Sequence, residues 1–273
     1  MKVKRISILG CGWLGLAVGK ALAQEDFTVK GSTTSKEKLA LLEAEGIQAF
    51  QIKVNDRLEG EDLDAFFDSE VLLLNIPPGR RSPDVEERYP RQVQLVLDAA
   101  KGTIKHIIFI SSTSVYPNTN GVVTEDTPLA PVTASGKALV AAEGLVWEAY
   151  AKQASVLRMA GLAGGEREPG RFFAGKTDLA NGAVPVNFVH QDDCVGVIRA
   201  VLAQACWGET FNICADLHPL KNDFYPARAK LKGFVVPTYS SATATPSFKV
   251  VGNSKVKRVL GYTFIYGDPK KFP

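Results

Sequence analysis

The chain alternates short runs of β-branched and aliphatic residues with longer stretches whose apolar positions recur at helical spacing. Arg5-Ile6-Ser7-Ile8-Leu9 predicts a buried strand, Trp13 to Gln24 a helix of mixed small and apolar residues, and Phe27 to Gly31 a second strand. Lys36 to Glu45 predicts a helix stopped by Gly46 at its C-cap, and Gln48 to Val54 a third strand. Val71-Leu72-Leu73-Leu74-Asn75-Ile76 is so apolar that both its faces must be covered, as in a parallel sheet. Pro83 to Ala100 reads as a helix, His106 to Ser111 as a fifth strand, Ser135 to Lys152 as a long helix and Ala154 to Met159 as a sixth strand. Strand and helix alternating at these lengths predict an α/β fold with a doubly wound parallel sheet.

After Met159 the rhythm changes. Gly161 to Gly182 is rich in glycine and charge and reads as a long loop, while Val184 to Val189, Asp192 to Gln204, Glu209 to Cys214 and Lys221 to Leu231 supply further elements. These are expected to form a smaller lobe over the carboxyl ends of the strands, where open α/β sheets bind ligands.

Composition narrows the function. Hydrophobic residues at 45% and charged residues at 22% are ordinary for a globular chain. A net charge of +3 spread along 273 residues leaves no footprint for nucleic acid or a membrane surface, though a local anion pocket stays open. Cys11, Cys194, Cys206 and Cys214 form no CxxC pair and have no histidine at metal-ligand spacing, so they read as reduced buried thiols and imply no metal. The lysines and apolar run at the N-terminus imitate a signal peptide, but glycines interrupt the run and no polar cleavage region follows. No segment approaches the ~20 apolar residues that span a bilayer. The expectation is a cytoplasmic protein whose partner is a small molecule.

The chemistry begins at Gly10-Cys11-Gly12-Trp13-Leu14-Gly15, a GxGxxG turn that leaves a strand and opens a helix. Gly10 permits the tight turn, Gly12 lets a pyrophosphate approach the backbone, and Gly15 lets helix pack close to strand. The helix amides then face the phosphates. An acid at the end of the second strand would favour NAD(H) by bonding the ribose hydroxyls. The chain has Ser32-Thr33-Thr34-Ser35-Lys36 there and no acid before Glu37, which favours NADP(H) and still permits NAD(H). Asn75 closes the fourth strand beside the expected cofactor, with Pro77-Pro78-Gly79 shaping the wall.

Ser111-Ser112-Thr113-Ser114-Val115-Tyr116-Pro117 at the end of the fifth strand resembles the extended short-chain dehydrogenase/reductases, the group of the sugar-nucleotide epimerases and dehydratases. The resemblance implies Ser111 at the cofactor and Ser112 on the substrate hydroxyl or carbonyl. It continues through Pro128-Leu129-Ala130-Pro131, Leu157 to Leu162, Asn187 to Asp193 and Phe211-Asn212-Ile213-Cys214, reaching about Leu231. Gly12 to Gly15, Pro131 to Gly136, Gly170 to Lys176 and Phe224-Tyr225-Pro226 look like an atypical YeeZ-like subgroup, described only as NAD(P)-binding relatives of those enzymes.

Two departures stand out. The family helix opens Tyr-Gly-x-Ser-Lys-x-x-x-Glu. Gly136 and Glu143 hold that register here, so Ser135 takes the tyrosine position and Leu139 the lysine position. Lys137 cannot substitute, because two residues rotate about 200° around a helix. Losing a positioned general base costs ~10²–10⁴-fold in rate. Secondly, the family's GxxGxxG would put glycine at Leu9. The GxGxxG form is similar to hydroxyacid dehydrogenases, but their substrate domain is largely helical, unlike the strand-rich stretch from Val184 to Cys214.

The remaining catalytic candidates are Ser112, Tyr116 and His190. Arg171 and Lys176, with Arg167, form a cationic loop suited to phosphate or carboxylate. The expected organisation is an NAD(P)-binding Rossmann domain over 1–160 and a substrate-binding lobe over 161–273, not cleanly separate. Two functions fit: an NAD(P)-dependent epimerase, dehydratase or oxidoreductase of atypical mechanism acting on an anionic or sugar-nucleotide-like compound, or a non-catalytic NADP(H)-binding sensor or partner-binding protein. Family precedent permits a homodimer.

Overall fold

Seven parallel strands and one antiparallel edge strand make the main sheet. The structure, a computed structural model, describes residues 3–79, 82–241 and 247–273. In chain order the elements are β1 (Arg5–Leu9), α1 (Trp13–Ala23), β2 (Thr28–Thr33), α2 (Leu39–Ala44), β3 (Gln48–Val54), β4 (Leu58–Gly60), α3 (Leu63–Phe67), β5 (Val71–Leu74), α4 (Val85–Ala100), β6 (His106–Ser112), β7 (Gly121–Val123) and α5 (Ala134–Tyr150). There follow β8 (Ala154–Met159), β9 (Gly161–Ala163), β10 (Phe188–His190), α6 (Gln191–Gln204), β11 (Glu209–Ile213), α7 (Lys221–Leu231), β12 (Lys249–Val251) and α8 (Ser254–Leu260).

The sheet runs β11-β8-β6-β5-β1-β2-β3-β4, with only β4 antiparallel to its neighbour. All four residues of β5 and all six of β8 are buried, as strands covered on both faces require. Helix α4 packs against α5, and α1 against α6. Strand order reverses between β1 and β5, so the ligand crevice of such a sheet opens above their carboxyl ends. This is the doubly wound Rossmann sheet expected from the sequence.

Strand pairings cross the expected 160/161 boundary in both directions. Glu209–Ile213 pairs with β8 along its length, from Glu209↔Ser155 to Ile213↔Met159, and is the seventh parallel strand rather than part of the lobe. Conversely β7, from the first part of the chain, pairs with β12 near the C-terminus. The lobe keeps a small core of its own, with Ala163, Val186, Phe188, Phe224, Tyr225 and Phe272 packed together. Two buried charges fasten it. Asp193 accepts hydrogen bonds from Tyr262 Oη (3.1 Å), Ile265 N (2.7 Å) and Tyr266 N (3.1 Å). Arg228 forks onto Glu168 and also donates to the carbonyl of Phe272.

Candidate functional site

The glycine turn sits at the sheet's switch point, and its three glycines meet different surroundings. Gly10 has φ +105°, and a side chain there would put Cβ 2.8 Å from the Asn75 carbonyl oxygen. A Cβ on Gly15 would lie 2.3 Å from the Gly10 oxygen, so helix and turn touch backbone to backbone. A Cβ on Gly12 would meet nothing within 4 Å: the space above it is open. Helix α1 begins at the next residue with no side-chain cap and no acid in its first turn. Its free amides and positive dipole end face that space, the arrangement that holds a pyrophosphate. Leu14 contributes backbone there, since its side chain is buried. Asn75 donates from Nδ2 to the Gly10 oxygen at 2.9 Å, which fixes the turn against β5.

The loop after β2 is partly corrected. The Ser32 hydroxyl accepts from Gly10 N at 2.9 Å and is buried, and the Thr33 hydroxyl accepts from Ser35 N at 3.2 Å. Both oxygens therefore serve the fold, because the turn's N–H groups need acceptors away from water. Thr34 and Lys36 remain exposed. Glu37 accepts from the Ser35 hydroxyl at 2.5 Å, which holds its carboxyl below the usual range.

At the end of β6 the two serines part company. Ser112 is half-buried and its hydroxyl accepts from Ser114 N at 3.2 Å, leaving its own proton to donate. Ser111 points inward and donates to Glu143 Oε1 at 2.5 Å. Glu143 in turn holds Arg158, which reaches it from Nη2 at 2.6 Å and from Nε at 3.1 Å. Arg158 Nη1 donates to Tyr116 Oη at 2.7 Å, and Tyr116 donates to Asn212 Oδ1 at 2.8 Å. Tyr116 is 0% exposed, and burial raises its pKa. The sequence placed Ser111 at the cofactor and Tyr116 among the acid–base candidates; the structure instead stitches both into a buried network joining β6, α5, β8 and β11. The signal was Arg158, a lone charge in a fully buried strand, which demands an interior partner.

Ser135 stands half-buried in the first turn of α5 with its hydroxyl 3.4 Å from that of Thr133, while Leu139 lies in the apolar core. Lys137 turns outward to Glu86 at 3.4 Å, as the helical rotation requires. His190 is also withdrawn, at 4% exposed. It caps α6, with Nδ1 accepting from Asp192 N at 3.3 Å and the ring against Tyr266 and Phe272. Burial lowers its pKa, and Nε2 meets no partner among the described residues. The candidate acid–base groups thus do not converge: Tyr116 and His190 are buried, and Ser112 is half-buried.

Arg171 and Lys176 are exposed on the lobe, their charges laid over the rings of Phe234 at 5.5 Å and Phe173 at 5.4 Å. Three of the cysteines are buried and all four are free, with burial pushing the Cys11 thiol up to about 12. No helix among the described residues is long and apolar enough to cross a membrane.

Known proteins share this fold. No protein-family model matches the chain. Protein YeeZ of Escherichia coli strain K12 is 37% identical over 274 aligned positions, covering 99% of each chain. A functionally unknown conserved protein from Silicibacter pomeroyi superposes with a TM-score of 0.78 at 23% identity, covering 98% of this chain and 95% of that one. UDP-glucuronic acid 4-epimerase from Bacillus cereus, in complex with UDP-glucuronic acid and NAD, superposes with a TM-score of 0.77 at 19% identity, covering 97% and 95%. The chain belongs to the YeeZ family.

Proposed function

We propose that the protein binds NADP(H) in preference to NAD(H) and acts on an anionic, sugar-nucleotide-like small molecule, as an epimerase, dehydratase or reductase working without the tyrosine–lysine dyad. The observation that carries the reading is Gly12. Open space stands above it, beside an uncapped helix start, at the point where the strand order reverses. The similar fold of a B. cereus epimerase that holds NAD and UDP-glucuronic acid supports the same kind of ligand here. The cofactor supplies hydride chemistry when bound. The preference for the phosphorylated cofactor rests on Thr34 and Lys36, exposed where an acid would repel a 2′-phosphate. Ser112 would donate to a substrate hydroxyl or carbonyl, and Arg171 with Lys176 would hold its anionic end.

Calorimetric titration tests this reading first. NADPH should bind more tightly than NADH, and Lys36→Glu should reverse the order. Equal affinities remove the preference, and no binding of either removes the reading. Substrate protection lost in Arg171→Ala/Lys176→Ala with cofactor affinity kept would support the anion site.

A second reading has its own observation. Tyr116 and His190 are buried and the dyad positions hold Ser135 and Leu139, which favours a cofactor pocket kept without a general base. In that case it is a non-catalytic NADP(H) sensor or partner-binding protein. Turnover of NADPH with any carbonyl or sugar-nucleotide panel member decides for the enzyme.

A further inference from the structure

Two helix N-termini, 178 positions apart in the sequence, are joined by one hydrogen bond. Trp13 is the first residue of α1, and Gln191 is the first residue of α6, directly after the His190 cap. Gln191 Nε2 donates to the Trp13 carbonyl at 2.7 Å, and α1 packs against α6. Trp13 is held by its side chain as well, with Nε1 donating to Gly164 O at 3.2 Å. The glycine pair that follows β9 lies against this contact. A Cβ on Gly165 would stand 3.8 Å from both Gln191 Oε1 and Trp13 Nε1, and one on Gly164 would come 2.6 Å from His190 Nε2. The glycine turn is therefore gripped from the far part of the chain through the backbone and the side chain of a single residue, Trp13.

We propose that Gln191 is a positioning residue of the pyrophosphate site, acting through the peptide bond between Trp13 and Leu14. The proposal rests on the reading of the glycine turn as a dinucleotide site. The first intrahelical bond of α1 runs from Leu16 N to Gly12 O at 2.9 Å, so the amides of Trp13, Leu14 and Gly15 precede the helical ladder. The Trp13 carbonyl and the Leu14 N–H belong to one planar amide. A donor on that oxygen fixes the plane, and by polarising the amide it makes the N–H on the other side a stronger donor. The same oxygen still serves the helix four residues on, because a carbonyl has two lone pairs. Nor does α6 need the Gln191 side chain for its own start, since His190 Nδ1 already accepts from Asp192 N. The bond is additional to both helices, and what it adds is the aim and strength of an amide that a diphosphate would meet.

The test is calorimetry on the full chain with NADPH, ADP and adenosine. Gln191→Leu removes the donor at similar size, and it should weaken NADPH and ADP by about three- to tenfold, the scale of one net hydrogen bond. Adenosine, which carries no phosphate, should bind this variant as it binds the parent. Gln191→Glu keeps the shape but presents an acceptor and a negative charge, and it should weaken ADP further than leucine does. Unchanged ADP affinity in Gln191→Leu, or parent-like ADP affinity in Gln191→Glu, overturns the proposal while leaving the cofactor reading intact. An equal loss for adenosine and ADP overturns it too, since that marks Gln191 as a support for the fold around the turn only. A parent that binds neither NADPH nor ADP overturns the cofactor reading, and this proposal with it.

Discussion

Arg158 Nη2 lies 2.6 Å from Glu143 Oε2, and the two side chains are only 6% and 3% exposed. Glu143 belongs to α5 and Arg158 to β8, so the pair ties the helix that carries the dyad positions to the sheet beneath it. Removing one partner strands the other charge in the interior.

Arg158→Met should therefore destabilise the protein by about 3–5 kcal/mol, read from the urea midpoint. The double variant Arg158→Met/Glu143→Leu should recover most of that loss, because an apolar pair leaves no buried charge unmatched. A double variant as unstable as the single one would show that Ser111 and Tyr116, not the ion pair, carry the cost.

That network also marks what the sequence could reveal. The glycine turn was readable because each requirement is local: a positive φ at Gly10, open space at Gly12, backbone contact at Gly15. Gln48–Val54 and Ala154–Met159 were readable as strands because their residues alone announce them. Tyr116 and His190 looked like free acid–base groups because their partners are remote in sequence: Arg158 and Asn212 for one, Tyr266 and Phe272 for the other. Strand β11 was recognisable as an element, yet its place beside β8 follows from topology that hydrophobic spacing does not encode. The short β4 and α3 are too brief to show a period.

The glycines predict opposite phenotypes. Gly12→Val adds its side chain to open space, so the protein should melt like the parent while NADPH binding is lost. Gly15→Ala meets a backbone oxygen at 2.3 Å and should lower the melting temperature by several degrees. Thermal melts with and without NADPH separate the two. Retained NADPH binding in Gly12→Val would dismiss the pyrophosphate site.

His190 makes stability fall in mild acid. Burial lowers its folded pKa below the ordinary value of 6.5, so the unfolded chain takes up the proton first. Its contribution is complete above pH 6.5 and is lost as pH falls toward the lowered folded value. Asp193, raised by burial, acts with the opposite sign from the ordinary carboxylate range upward. Asn is a good N-cap, so His190→Asn keeps the helix start while removing the titration. Between pH 7.5 and 5.5 the variant should lose less stability than the parent in urea melts. Parallel curves would show that His190 does not titrate in this window.

Helix α5 offers the sharpest test of the proposal that the protein works without a tyrosine–lysine dyad. Ser135→Tyr with Leu139→Lys would build a tyrosine–lysine dyad at the positions that the sequence resemblance implies, in the register set by Gly136 and Glu143. Leu139 is 4% exposed, so the lysine alone should be costly: Leu139→Lys buries an ammonium among apolar side chains and should lower the urea midpoint clearly. The tyrosine should repay part of that cost only if its oxygen reaches the new ammonium, which makes the stability of the double variant a reading of geometry before any turnover is measured. With NADPH and a panel of sugar-nucleotide and carbonyl compounds, the double variant should then show hydride transfer above the parent. A phenol beside an ammonium ionises near neutrality and can move the proton that a serine cannot. A folded double variant that binds NADPH and transfers no hydride would place the first turn of α5 away from the reacting carbon. Brisk turnover by the parent would instead assign the proton to another group, with Ser112 the first to replace by alanine.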